Sequence, residues 1–130
     1  MNSRFKSAVP YCEDALNLPV ANVDAALPFY EGVMGFRVLG VSDTSVRSVI
    51  LHRDDVQIGL AENGGDPTQE GCFFEVEDVQ ATFEELRSRG LEREEPGFRM
   101  EWRGPSMWKI FFVIAPDGLC YCLGERQPSV

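Results

Sequence analysis

The feature that most constrains this chain is an internal echo. Asp117-Gly118-Leu119-Cys120-Tyr121-Cys122-Leu123-Gly124-Glu125 matches Asp54-Asp55-Val56-Gln57-Ile58-Gly59-Leu60-Ala61-Glu62 at a constant offset of 63 residues. Each copy has an acidic turn, then large apolar residues on alternate positions, then a small residue and Glu. Val56, Ile58 and Leu60, like Leu119, Tyr121 and Leu123, follow strand periodicity with one buried face. The other face carries Gln57, Gly59 and Ala61, or Cys120, Cys122 and Gly124, which are small or polar enough to line a cavity. A second echo lies upstream, where Val20-Ala21-Asn22-Val23-Asp24-Ala25-Ala26-Leu27 resembles Val76-Glu77-Asp78-Val79-Gln80-Ala81-Thr82-Phe83 at an offset of 56. The chain therefore reads as two copies of one strand-helix-strands unit.

Taken in order, residues 1–13 read as an N-terminal arm, with Pro10 arguing against regular structure and exchange with a partner subunit as the alternative. Ala15–Val20 reads as a first strand that is an edge or ends at Pro19. Asn22 caps a helix to about Met34, made irregular by Pro28 and closed by Gly35. Strands are expected at 36–41, 45–53 and 56–62. Residues 63–70 are the linker between the modules. The second module spans 71–125: a strand at 72–76, a helix from the Asp78 cap to Arg89, the charge-rich alternation of Phe98, Met100 and Trp102, an apolar strand at 108–114, a tight turn at Pro116-Asp117-Gly118, and a last strand. Residues 126–130 are a tail. The class is α+β: two βαβββ modules, 14–62 and 71–125, in a curved mixed sheet forming a cup with helices outside.

The 130 residues suit one domain, and the net charge is −9. That balance disfavours nucleic acid and anionic membrane surfaces and favours cationic guests, though simple solubility explains it as readily. Four Cys at 12, 72, 120 and 122 match neither a zinc CxxC pair nor a secreted disulfide scaffold. Reduced thiols and a cytoplasmic location are the expectation.

Three segments carry a family resemblance. Asn22 to Tyr30 followed by Met34-Gly35-Phe36, then Phe73 to Val79, then Phe111 to Gly118 resemble the helix, the second-module cap and the acidic turn of the vicinal oxygen chelate superfamily. This superfamily includes glyoxalase I, bleomycin- and fosfomycin-resistance proteins and extradiol dioxygenases. The resemblance covers about residues 14 to 125 and implies a homodimer. Metal-dependent members place His, Gln or Glu at four sites, which carry over to Ala15, Gly59, Gly71 and Cys122. Three of these have no donor side chain, and one thiolate does not hold a metal. The resemblance is nearest the bleomycin-resistance branch.

It implies a metal-free, non-catalytic protein that sequesters a cationic or aromatic small molecule, without a cofactor. The expected lining is Asn17, Gln57, Gly59, Phe73, Glu75, Trp102, Trp108, Phe112, Cys120 and Cys122; core packing or an interface is the plainer role for its aromatics. Phe98 is a further candidate for the walls. The alternative is a metalloenzyme (lyase, isomerase or dioxygenase) with one divalent metal on non-standard ligands such as His52, Glu62, Glu75 or Glu125. A second alternative is a non-catalytic interaction domain whose cup is filled by side chains. Strand-end Glu residues are usually solvated, a lone His usually sits at a surface or turn, and Cys120 and Cys122 read as buried inert thiols.

Overall fold

The computed structural model describes residues 3–11 and 14–128. Cys12 and the extreme ends of the expected arm and tail lie outside them. In chain order the elements are β1 (Phe5–Pro10), β2 (Leu18–Pro19), α1 (Val23–Pro28) with a π-helical turn over Phe29–Val33, β3 (Arg37–Ser42), β4 (Ser48–Arg53), β5 (Val56–Ala61), a short 3-10 turn (Pro67–Gln69), β6 (Gly71–Val76), α2 (Val79–Ser88), β7 (Arg99–Arg103), β8 (Ser106–Ile114) and β9 (Cys120–Arg126). Each module is βαβββ, in an α+β fold.

The helix starts follow one local rule, used twice. Asn22 Oδ1 accepts from the Ala25 N–H and Asp78 Oδ1 from the Ala81 N–H, both at 2.9 Å. Each helix gains a second cap from the end of its own module: Glu62 accepts from Val23 N–H at 2.9 Å and Glu125 from Val79 N–H at 3.0 Å. These carboxylates satisfy first-turn donors and sit at the positive end of the helix dipole. Pro28 does not disturb the first turn as expected. The helix starts at its cap, and the irregularity follows Pro28 as the π-helical turn, closed by Met34 N–H to Phe29 O at 3.0 Å. Gly35 then turns the chain with φ of +77°, where a Cβ would lie 2.7 Å from an Arg53 guanidinium nitrogen.

The arm is corrected in one respect: Phe5–Pro10 is a strand, paired antiparallel with β6. Pro10 is its last residue on an outer strand, where a missing N–H costs no ladder bond. β2 is also an edge, pairing parallel with β5 through Leu18 and Pro19 and shorter than the expected Ala15–Val20. The strands fall in two sheets, β1-β6-β9-β8-β7 and β2-β5-β4-β3. β6 has β9 on one side and β1 on the other, so no module-one strand pairs with it.

One apolar core unites the modules. It takes Val56, Ile58 and Leu60 from one repeat, Leu119, Tyr121 and Leu123 from the other, and buried residues of both helices. Aromatic contacts cross between modules: Phe36 packs on Phe74 with ring centres 5.9 Å apart, and Phe5 touches both. The Tyr30 hydroxyl lies 2.5 Å from that of Tyr121 and donates to Asp117 at 3.1 Å. Arg53 on β4 is buried against Glu85 on α2 at 2.6 Å, and it also donates to the carbonyls of Met34 and Ser3. Its guanidinium sits 4.2 Å from the Phe5 ring centre.

Removing one member of that buried pair leaves the other charged and poorly solvated. Glu85→Ala is therefore expected to lower unfolding stability by about 3–5 kcal/mol, read from urea denaturation. An Arg53→Met, Glu85→Leu double variant should recover most of the loss. Equal losses in both proteins would show that the pair's charge is not what the core depends on.

Candidate binding face

The face of the five-stranded sheet turned away from the core is ordered by strand register, because directly opposed residues share a face. One row runs Phe112, Cys122, Phe73 and Val9 across β8, β9, β6 and β1. The next runs Arg99, Ile110, Gly124, Glu75 and Ser7. A third holds Glu101, Trp108 and Arg126. On the other side of the first row lie Ile114, Cys120 and Gly71.

Phe73, Trp108, Ile110 and Cys122 form a second apolar cluster, separate from the main core, with Phe112 packed on it. Phe73 and Trp108 meet edge to face with ring centres 5.2 Å apart. Gly124 makes that possible: a Cβ there would lie 2.7 Å from Phe73 Cζ. The margin stays open to solvent, with Val9 56%, Tyr11 42% and Ile114 71% exposed. An uncovered apolar margin around a packed aromatic centre is unusual for a surface with no partner.

The structure brings together Phe73, Trp108, Phe112, Cys120 and Cys122 of the expected lining, with Glu75 at the rim in an ion pair with Lys6 at 3.4 Å. Asn17, Gln57 and Gly59 belong to the other sheet or the segment crossing it, so one chain does not unite the full set. Asn17 is exposed and bonded by Asn63, while Gln57 stands in a row with His52 and Arg37. Trp102 also departs from expectation. It is opposite Met107, one residue out of phase with Trp108, so it projects from the other face and is 67% exposed. Phe98 packs on the main core against Phe83 and Phe111.

Tyr11, Arg103 and Arg126 were missed in sequence. Tyr11 falls within the expected arm, where no strand pattern marks it. The two arginines are the last residues of β7 and β9, where the apolar alternation carries no signal for them. Arg103 precedes the Gly104-Pro105 turn and reaches back over the face. Its guanidinium lies 4.3 Å from the Phe73 ring centre, and Nη2 donates to Cys122 Sγ at 3.9 Å. Arg126 sits 5.7 Å from the Trp108 ring centre.

The four inherited metal positions can be tested on their surroundings. Ala15, Gly59 and Gly71 offer no donor atom. A side chain at Gly59 would collide with the Leu16 carbonyl, and one at Gly71 with the Cys120 carbonyl. Burial pushes the Cys122 thiol up to about 11, although Arg103 acts in the opposite direction. These residues do not fit a divalent metal. The non-standard candidates are dispersed: Glu62 and Glu125 cap different helices, Glu75 pairs with Lys6, and His52 lines a groove at the far end of β4. Among the described residues no three His, Cys, Asp or Glu side chains converge on a metal-sized site. That groove, about 560 Å³, is walled by charged groups already paired with one another, notably Arg53, Glu85 and Arg89. Among the described residues no helix is long and apolar enough to cross a membrane.

The sequence matches the family model described as the Glyoxalase/Bleomycin resistance protein/Dioxygenase superfamily over residues 13–118. No curated protein sequence matches it significantly. Solved structures share the fold at low identity. A virulence protein from Salmonella typhimurium is 18% identical with a TM-score of 0.65, over 88% of this chain and 95% of the other. TnmS3, described as an antibiotic binding protein from Streptomyces, is 19% identical with a TM-score of 0.60, over 89% and 97%. A bleomycin resistance determinant encoded on transposon TN5 is 23% identical with a TM-score of 0.57, over 92% and 99%.

The thiols offer a direct check on this geometry. Cys72 is fully buried, with its thiol pushed up to about 12, and Cys122 is buried beneath Arg103, whereas Cys120 is half-buried. In a Cys12→Ser background at pH 8, a thiol reagent such as Ellman's is expected to label Cys120 first. Cys72 and Cys122 should react only on unfolding, since the thiolate is the reactive form. Fast labelling of all three would contradict the packing of this face.

Proposed function

The chain belongs to the glyoxalase/bleomycin resistance protein/dioxygenase superfamily, and we propose that within it this protein binds a planar aromatic small molecule without a metal and without chemical turnover. The observation that carries this reading is the replacement of a metal-ligand set by an aromatic one. The two inherited glycine positions are crowded by backbone, and the fourth position, Cys122, lies beneath Phe73, Phe112 and Trp108. Such a face gains from ring stacking and from covering its half-buried edge at Phe112 and its exposed apolar margin, not from polarising an oxygen.

A homodimer completes the proposal. In one chain the aromatic centre is packed and nearly closed, and it is the apolar margin at Val9, Tyr11 and Ile114 that remains in solvent. A second copy laid against it would cover that margin and supply the opposite wall, turning a face into a cleft. The solved relatives described as an antibiotic-binding protein and a bleomycin resistance determinant support a ligand of drug size. Cytoplasmic sequestration of such a compound is the role proposed. The net charge of −9 attracts cations over a distance. It does not determine the charge preferred within a few ångströms of the rings.

Three measurements test the reading. Plasma mass spectrometry after incubation with Ni, Zn, Fe(II) and Mn, then desalting, should find well under one metal per chain. Sedimentation should find a dimer. A thermal-shift screen of planar aromatic compounds spanning cationic, neutral and anionic members should find upward shifts, and Trp108→Ala should weaken binding by at least about tenfold. One tightly held metal per chain would overturn the metal-free reading, and a screen with no shift at all would overturn the binding role.

A further inference from the structure

We infer that this face selects a guest with an acidic group, an aromatic carboxylate or sulfonate, and disfavours the cationic guest that the overall charge suggests. The inference rests on the reading of the face as the binding site. Its starting point is that the aromatic rings already have cations of their own. Arg103 lies over Phe73 at 4.3 Å and Arg126 stands beside Trp108 at 5.7 Å. A cationic guest would have to displace these guanidiniums or sit next to them. It would meet like charge where its cation–π contact should form.

The same arginines are under-partnered. Arg103 has a single ion pair, to Glu101 at 3.3 Å, with both side chains more than a third exposed. Among the described residues no ion pair involves Arg126 or Arg99, although the chain carries 21 acidic side chains against 12 basic ones. Three guanidiniums thus meet one carboxylate across the β7, β8 and β9 rows, in a protein whose excess charge is strongly negative. The remaining carboxylate on this face, Glu75, is paired with Lys6 at the opposite margin.

The spacing of these groups defines the guest. Trp108, Ile110, Cys122 and Phe73 form a packed apolar cluster across β8, β9 and β6, with half-buried Phe112 at its edge, the Arg103 guanidinium over Phe73 and Arg126 at its Trp108 end. A flat ring that enters at Phe112 and takes the place over Phe73 as Arg103 swings outward has its carboxylate or sulfonate beside planar forks with two parallel donors. To meet an acid Arg103 gives up its place over Phe73 and the weak thiol contact at Cys122 and gains a charge-assisted pair, whereas a cation offers it none in return.

The test uses the full chain and three probes that share one ring system: 2-naphthoate, 2-naphthalenemethanol and 2-naphthylmethylammonium, titrated by calorimetry. Naphthoate should bind at least about tenfold more tightly than the ammonium probe, a preference that shrinks as salt rises from roughly 0.05 to 0.5 M. Arg126→Gln and Arg103→Gln should each remove most of naphthoate's advantage over the neutral alcohol. Because Arg126 is exposed, its variant should melt as the parent does, which separates lost binding from lost folding. Ammonium binding equal to or tighter than naphthoate, or variants that bind naphthoate as the parent does, would overturn the inference and leave the aromatic site standing. If none of the probes binds, the site reading falls, and this inference with it.

Discussion

The pairing of β1 with β6 is the constraint on which the rest of the structure depends. A strand has two edges, and β6 spends both, one on β9 and the other on residues 5–10. The sheets therefore remain separate and turn their apolar faces to one core. There Phe5, at the start of β1, touches Phe36 of module one and Phe74 of module two. Because those faces are consumed inside, the opposite faces look outward. That is why Phe73 and Trp108 pack into a second cluster on the outer side of the sheet, with half-buried Phe112 at its edge, rather than into the main core.

Polar groups enter this core only where they are matched. Arg53 reaches Glu85, two carbonyls and an aromatic ring. Tyr30 and Tyr121 share a hydrogen bond and a neighbouring carboxylate, and burial raises both hydroxyls above the ordinary tyrosine range. Each joins a helix or helical turn of one module to a strand of the other, so their geometry ties the two halves together as well as stabilising them. Glu62 and Glu125 do the equivalent within each module, tying the last strand to the start of the helix. The repeat thus extends from sequence to hydrogen-bond pattern.

The outer face follows different rules in the two modules. In module one Gly59 is covered by backbone at Leu16, and Gln57 is exposed beside His52. In module two the matching positions hold Cys120 and Cys122, and the absence of a side chain at Gly124 lets Phe73 meet Trp108 edge to face. The duplicated units have diverged: Gln57 and His52 stand where the second module has cysteines and an aromatic cluster.

Much of this was legible in the sequence. Strand periodicity, two capping residues and two matching acidic turns specify βαβββ twice, since they depend on neighbours within a few positions. That Ala15, Gly59 and Gly71 carry no donor side chain is likewise read from the sequence alone, because such a residue has none in any fold. Three things were decided only by tertiary structure. Pro10 argued against a strand, but an outer edge has no use for the missing donor. Trp102 and Trp108 looked equivalent, yet the register across the Gly104 turn sends them to opposite faces. The charge of the candidate site reversed the charge of the chain, because composition sums over the whole surface while Arg99, Arg103 and Arg126 are gathered onto one face by pairings between distant strands. Local rules are written in consecutive residues. Which side chains meet across a sheet is set by register and burial, which no stretch of sequence carries alone.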